Sequence, residues 1–105
     1  MLDLTPILSN SKAAVHCPTR DQAAAFFTHM KEYYPEKVAN WNRGFECIYG
    51  NEQCYAPYFS NDRRMLQCSI GYYQENGYDI VEFADLVVID KFEKSDVPVS
   101  ELLGL

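Results

Sequence analysis

Residues 19–35, TRDQAAAFFTHMKEYYP, decide how the rest of the chain is read. Thr19 and Gln22 have the spacing of a capping box, in which two side chains satisfy N–H groups that the first turn of a helix leaves open. Ala23, Phe26, Phe27, Met30 and Tyr34 then recur at i, i+3, i+4, i+7 and i+11, one apolar stripe along an amphipathic helix. Pro35 has no N–H to continue the ladder and ends it. A helix over residues 19–34 with one greasy face needs a second layer to cover that face.

The flanking sequence offers strands for that layer. Upstream, KAAVHC is a short apolar run closed by Pro18. Downstream, turn signals at Asn42-Arg43-Gly44, Gly50-Asn51 and Ser60-Asn61-Asp62 separate FECIY, QCYAPYF and MLQCSI, which read as an antiparallel meander. Pro57 cannot donate to a ladder, so the second run is expected at an edge or with a bulge. SIGYYQENG reads as a short helix started by Ser69 and ended by Gly77. YDIVEF reads as a buried strand, and ADLVVID as a further strand or helical turn.

The expected fold class is therefore α+β: one long N-terminal helix packed on a mainly antiparallel sheet, with a short second helix. With 105 residues, 48% of them hydrophobic, the chain can bury one core but not two. One domain is expected over residues 1–105, its core at about 12–90. The tail, 91–105, either docks on the body or stays free.

Charge is unevenly placed. Residues 1–74 hold seven acids and seven Lys or Arg, whereas residues 75–105 hold eight acids against Lys91 and Lys94, so the formal −6 lies in the last third. Such a surface repels phosphate backbones and attracts basic proteins, which argues against direct nucleic-acid binding. The plainer reading is a solvated face that keeps the protein soluble. Glu75, Asp79, Glu82, Asp85 and Asp90 are the candidate partner-binding carboxylates. Trp41 and eight tyrosines add rings with polar tips, a composition suited to interfaces as well as cores. Trp41 and Tyr55 are the aromatic candidates beside the acids. Arg63-Arg64, the only basic doublet, reads as a solubilising hairpin tip or a grip for an anion.

Catalysis is not expected. There is no Gly-x-Ser-x-Gly, His-Glu-x-x-His or phosphate-cradling glycine loop, and His16 and Cys17, adjacent in a presumed strand, should point to opposite faces. His29 falls within the helical pattern. The cysteines lack a Cys-x-x-Cys knuckle, so no metal or other cofactor is expected, and four reduced thiols are the reading in a cytoplasmic protein. The start, MLDLTPILSNSK, has no basic leader, and no apolar run approaches the roughly 20 residues that cross a bilayer, so no membrane partner is expected. The oligomeric state stays open.

Trp41, Asn42 and Gly44, followed by Gly77, Tyr78, Ile80, Val81, Glu82, Phe83, Ala84, Asp85 and Leu86, give the chain a pattern over residues 13–88. It resembles small proteins encoded by bacteriophages and prophages of Gram-positive bacteria. That group is mostly of unknown function and supplies no catalytic residues. Some phage proteins of this size and acidity are anti-CRISPR proteins, which block Cas nucleases by occupying basic surfaces meant for nucleic acid; here the resemblance is one of size, charge and origin. It implies an inhibitor acting in the host cytoplasm on a bacterial defence protein, with a Cas nuclease as the specific expectation and a carboxylate surface serving as a DNA mimic. The alternatives are a small-ligand domain for a nucleotide signal, using the aromatic middle and Arg63-Arg64, and a phage structural or regulatory protein.

Overall fold

The computed structural model describes residues 2–39, 41 and 48–88. A single helical turn, α1 (Thr5–Leu8), precedes strand β1 (Ala13–His16); then come helix α2 (Arg20–Tyr33), strands β2 (Gln53–Ala56) and β3 (Leu66–Ser69), helix α3 (Ile70–Glu75) and strand β4 (Asp79–Glu82). Short 3-10 turns follow α2 at Pro35–Lys37, precede β2 at Gly50–Glu52 and follow β4 at Phe83–Leu86.

The sequence signals at both main helices are realised as geometry. Thr19 has extended backbone and its hydroxyl accepts from the Gln22 N–H, but the returning half of the capping box is not made, since the buried Gln22 Oε1 accepts no hydrogen bond from the described residues; α2 stops at Tyr33, one residue before the Tyr34 cap and Pro35. Ser69 does the same for α3 by accepting from the Tyr72 N–H. At the far end of α3 the Tyr78 N–H reaches the Tyr73 carbonyl and the Gly77 N–H reaches Gln74, with Gly77 at φ +77°. That nested pair of bonds is a Schellman ending, and it requires the left-handed conformation that glycine adopts without strain.

The sheet order is β3-β2-β1-β4. β1 pairs antiparallel with β2 and β2 antiparallel with β3, but β4 lies parallel to β1, with Val15 opposite Val81 and His16 opposite Glu82. The class is thus α+β, with two corrections. The sheet is mixed rather than mainly antiparallel, because α3 carries the chain from one edge to the other and so delivers β4 in the same direction as β1. The first helix is the turn at Thr5–Leu8, and the 14-residue helix stands inside the fold between β1 and β2.

Both sheet faces are covered. Ala13, Val15, Cys17 and Tyr55 join Ala23, Phe26, Phe27 and Met30 of α2 in one cluster, where Phe26 stacks on Tyr55 at 5.6 Å. Ala14, Cys54 and Ala56 turn the other way, against Tyr58 and Tyr73. This two-sided burial explains why every residue of β2 is buried. β2 is an interior strand, not an edge, and needs no bulge, because it ends at Ala56 before Pro57. β4, read as buried, is an edge strand with its end residues exposed. Residues 45–47 of the expected strand FECIY lie outside the described residues.

A buried lysine fixes the loop after β2. The Lys37 ammonium donates to the carbonyls of Tyr58, Asn61 and Arg63 at 2.7, 2.8 and 3.0 Å. Tyr58 carries a positive φ of 56°, which a side chain disfavours. The lysine holds the carbonyl of that strained residue, and the Arg63 guanidinium lies over its ring at 5.8 Å.

Candidate functional site

Four of the five candidate carboxylates are described, and all four are exposed along one margin of the sheet: Glu75 at the end of α3, Asp79 and Glu82 at the two ends of β4, and Asp85 in the turn after it. Asp90 lies outside the described residues. The turn at Phe83–Leu86 buries Phe83 and Leu86, which leaves Asp85 in solvent. Asp79 stands opposite Ala13 and Glu82 opposite His16, so strand alternation sends their side chains to opposite faces. The acids therefore flank both sides of an edge and do not form a single flat patch.

Two of them are held in place. Asp79 accepts from the side-chain amide of Asn10 at 2.9 Å, while its backbone N–H donates to the Lys12 carbonyl at 2.7 Å. Glu82 lies against His16, whose Nδ1 is 2.7 and 3.0 Å from the two carboxylate oxygens; the His16 side chain is 14% exposed and that of Glu82 47%. The other ring nitrogen, Nε2, is 2.7 Å from the Asn51 carbonyl. Each nitrogen faces an oxygen that only accepts, so a neutral ring satisfies one contact and an imidazolium both. His16 thereby ties β4 to the turn that leads into β2.

The aromatic candidates lie elsewhere. Tyr55 is fully buried between Phe26 and Trp41, and this corrects its place on a partner-binding surface: it is a core residue of an interior strand. Trp41 is half-buried, its ring 5.3 Å from Phe27. Tyr33, Tyr49 and Tyr72 are the exposed tyrosines. Tyr72 is on α3, the helix that also carries Glu75.

No nucleophile is assembled with a base among the described residues. Cys17 and His16 occupy opposite faces of the sheet, as strand alternation requires. Cys54 stands opposite His16, but both His16 nitrogens are directed at Glu82 and Asn51. Burial, then the charges of Glu82, Cys68 and Glu52, push the Cys54 thiol up to about 12, which keeps it protonated at neutral pH and unsuited to begin a reaction as nucleophile. No group of three or more His, Cys, Asp or Glu among the described residues is placed to hold a metal ion.

The Arg63-Arg64 loop lines a cleft of about 460 Å³ with Glu36, Lys37, Phe59, Asn61, Asp62 and Arg64. A phosphate there would meet Arg64 beside two carboxylates, with the lysine ammonium turned toward three carbonyls. That balance gives an anion little to bind.

Lys37 and His16 were missed as structural centres because their partners are distant in sequence, 66 residues in the case of His16 and Glu82. No local signal marks such pairs. No helix among the described residues is long and apolar enough to cross a membrane. No protein family, curated protein or solved structure matches the chain.

Proposed function

We propose that this is a phage-encoded inhibitor of a bacterial defence system, which acts in the host cytoplasm by binding a Cas nuclease through its acidic sheet margin. One observation carries the reading: the whole formal charge of −6 belongs to residues 75–105, and the four described carboxylates of that stretch are exposed around β4 and its flanking turns. Edge placement lets carboxylates reach outward from both faces of the sheet, so a positively charged channel can enclose the margin as it would enclose a nucleic-acid strand. Asn10 and His16 fix two of the acids, which lowers the entropy lost when they meet arginines or lysines. Tyr72, exposed on the helix that carries Glu75, adds an aromatic face for such cations. The role is that of a binding protein, without catalysis or cofactor.

The test is DNA cleavage by purified RNA-guided nucleases of Gram-positive hosts in the presence of the protein. Inhibition that fades with rising salt is the expected result. Cleavage unaffected at any protein concentration would refute the reading.

A further inference from the structure

Glu82, His16, Cys54 and Cys68 form one row across the four strands, since each stands opposite the next in the sheet register. The last two members are both thiols. Cys54 is buried in β2, and Cys68 is half-buried in β3, an edge strand. We propose that Cys54 and Cys68 are an oxidant-responsive pair, which a hydroperoxide converts into a disulfide that fastens β3 to β2.

The backbone places them for it. The Cys17 N–H donates to the Gln53 carbonyl at 2.8 Å, so Gln53 faces β1 and the polar groups of the next residue, Cys54, face β3. Cys54 and Cys68 are then a hydrogen-bonded antiparallel pair, with Cα atoms about 5.5 Å apart, inside the roughly 4.4–6.8 Å window of disulfides. Directly opposed side chains share a face, and in a hydrogen-bonded pair their Cβ atoms lie near the wide end of about 4.5–5.5 Å, so a disulfide at about 3.8 Å needs them to close by roughly 1–2 Å. β3 has one strand neighbour among the described residues and can make that shift more readily than an interior strand. That misfit leaves a strained bond that a dithiol readily reduces, which is the property of a reversible bridge.

The two thiols differ in access, and this sets the order of events. Cys68 is the one that solvent reaches, and the Tyr49 hydroxyl hydrogen-bonds with its side chain. The Cys68 thiolate attacks one peroxide oxygen: the S–O bond forms, the O–O bond breaks, and the departing oxygen leaves as water, or as an alcohol, once protonated. The Cys54 sulfur then attacks the Cys68 sulfenic acid; the S–S bond forms, the S–O bond breaks, and hydroxide leaves with the Cys54 proton as water. Two thiols lose two protons and two electrons in all, and the peroxide is reduced. Cys17, on the opposite face, is outside this chemistry.

The full-length protein is treated with hydrogen peroxide and mapped by mass spectrometry after tryptic digestion without reductant. Trypsin cuts after Arg63 and Arg64, between the two cysteines, so a disulfide holds two peptides together. Cys47 shares the first peptide with Cys54, and the map is therefore repeated on Cys47→Ser. The expected result is an intact mass two hydrogens lighter, a Cys54–Cys68 linked pair in both proteins, and reversal by dithiothreitol. In Cys54→Ala, oxidation should stop at one sulfenic acid on Cys68, trapped as one dimedone adduct. A link through Cys47 or Cys17, disulfides only between molecules, or Cys68 oxidised to sulfinic acid with no mass loss would overturn the proposal. The wild-type map decides the matter even if Cys54→Ala does not fold.

Discussion

Replacing Lys37 with Met keeps the buried stem and deletes the ammonium that three carbonyls share. Each hydrogen bond to a charged group contributes about 1.5–3 kcal/mol net. Asn61 and Arg63 are exposed, so water takes over their carbonyls, whereas Tyr58 is buried and its carbonyl keeps only the Asn61 N–H at 3.2 Å. The left-handed backbone of Tyr58, a strain of roughly 1–2 kcal/mol, then loses its main restraint. Relief from burying an ammonium offsets part of this. The sum is a destabilisation of about 2–3 kcal/mol, which in urea, at about 1 kcal/mol/M for so small a protein, lowers the midpoint by roughly 2–3 M. Lys37→Arg should recover little, because a planar guanidinium cannot aim at three carbonyls gathered round a point. Urea unfolding followed by circular dichroism is the assay. A Lys37→Met midpoint within about 0.5 M of wild type, about 0.5 kcal/mol, would show that this lysine does not organise the loop.

Two further outcomes follow from the helix. Phe27 is buried against Trp41, so Phe27→Ala should cost about 3–5 kcal/mol in the same assay, and a loss below about 1 kcal/mol would mean that the ring does little packing. Burial, then the positive N-terminus, holds His29 below its ordinary 6.5, with Glu32 opposing. The unfolded chain therefore takes up this proton more readily, and stability should fall as pH drops from about 6.5 to the lowered folded value, then level off. His29→Gln should flatten that part of the curve between about pH 7.5 and 5; equal slopes in both proteins would contradict the assignment.

How much was legible in the sequence depended on how local the physics was. The stripe from Ala23 to Met30 and the caps at Thr19, Ser69 and Gly77 act within a turn or two of chain, and each appears in the structure where its spacing puts it. Strand direction is not written locally. Nothing in DIVE says whether it runs with or against AAVH, and that is decided by a six-residue helix crossing the sheet. Tyr55 misled because composition alone does not separate a tyrosine of an interior strand from one at a surface. The turn at Thr5–Leu8 did carry a signal, since Pro6 occupies its start and the Asp3 carboxylate accepts from both the N–H and the hydroxyl of Thr5. Those two bonds also hold the Asp3 carboxyl below its usual range.

If the exposed carboxylates around β4 bind a basic nuclease channel, neutralising them must weaken the complex. The most direct measurement titrates a Cas nuclease with the wild-type protein and with a variant carrying Glu75→Gln, Asp79→Asn and Asp85→Asn, which leaves the Glu82–His16 pair intact, and reads binding at low and physiological salt. The expected result is tight wild-type binding that weakens as salt rises, and at least a tenfold loss, about 1.4 kcal/mol, in a variant whose circular dichroism is unchanged. Equal affinity of the two proteins, or no binding by the wild type, would contradict it.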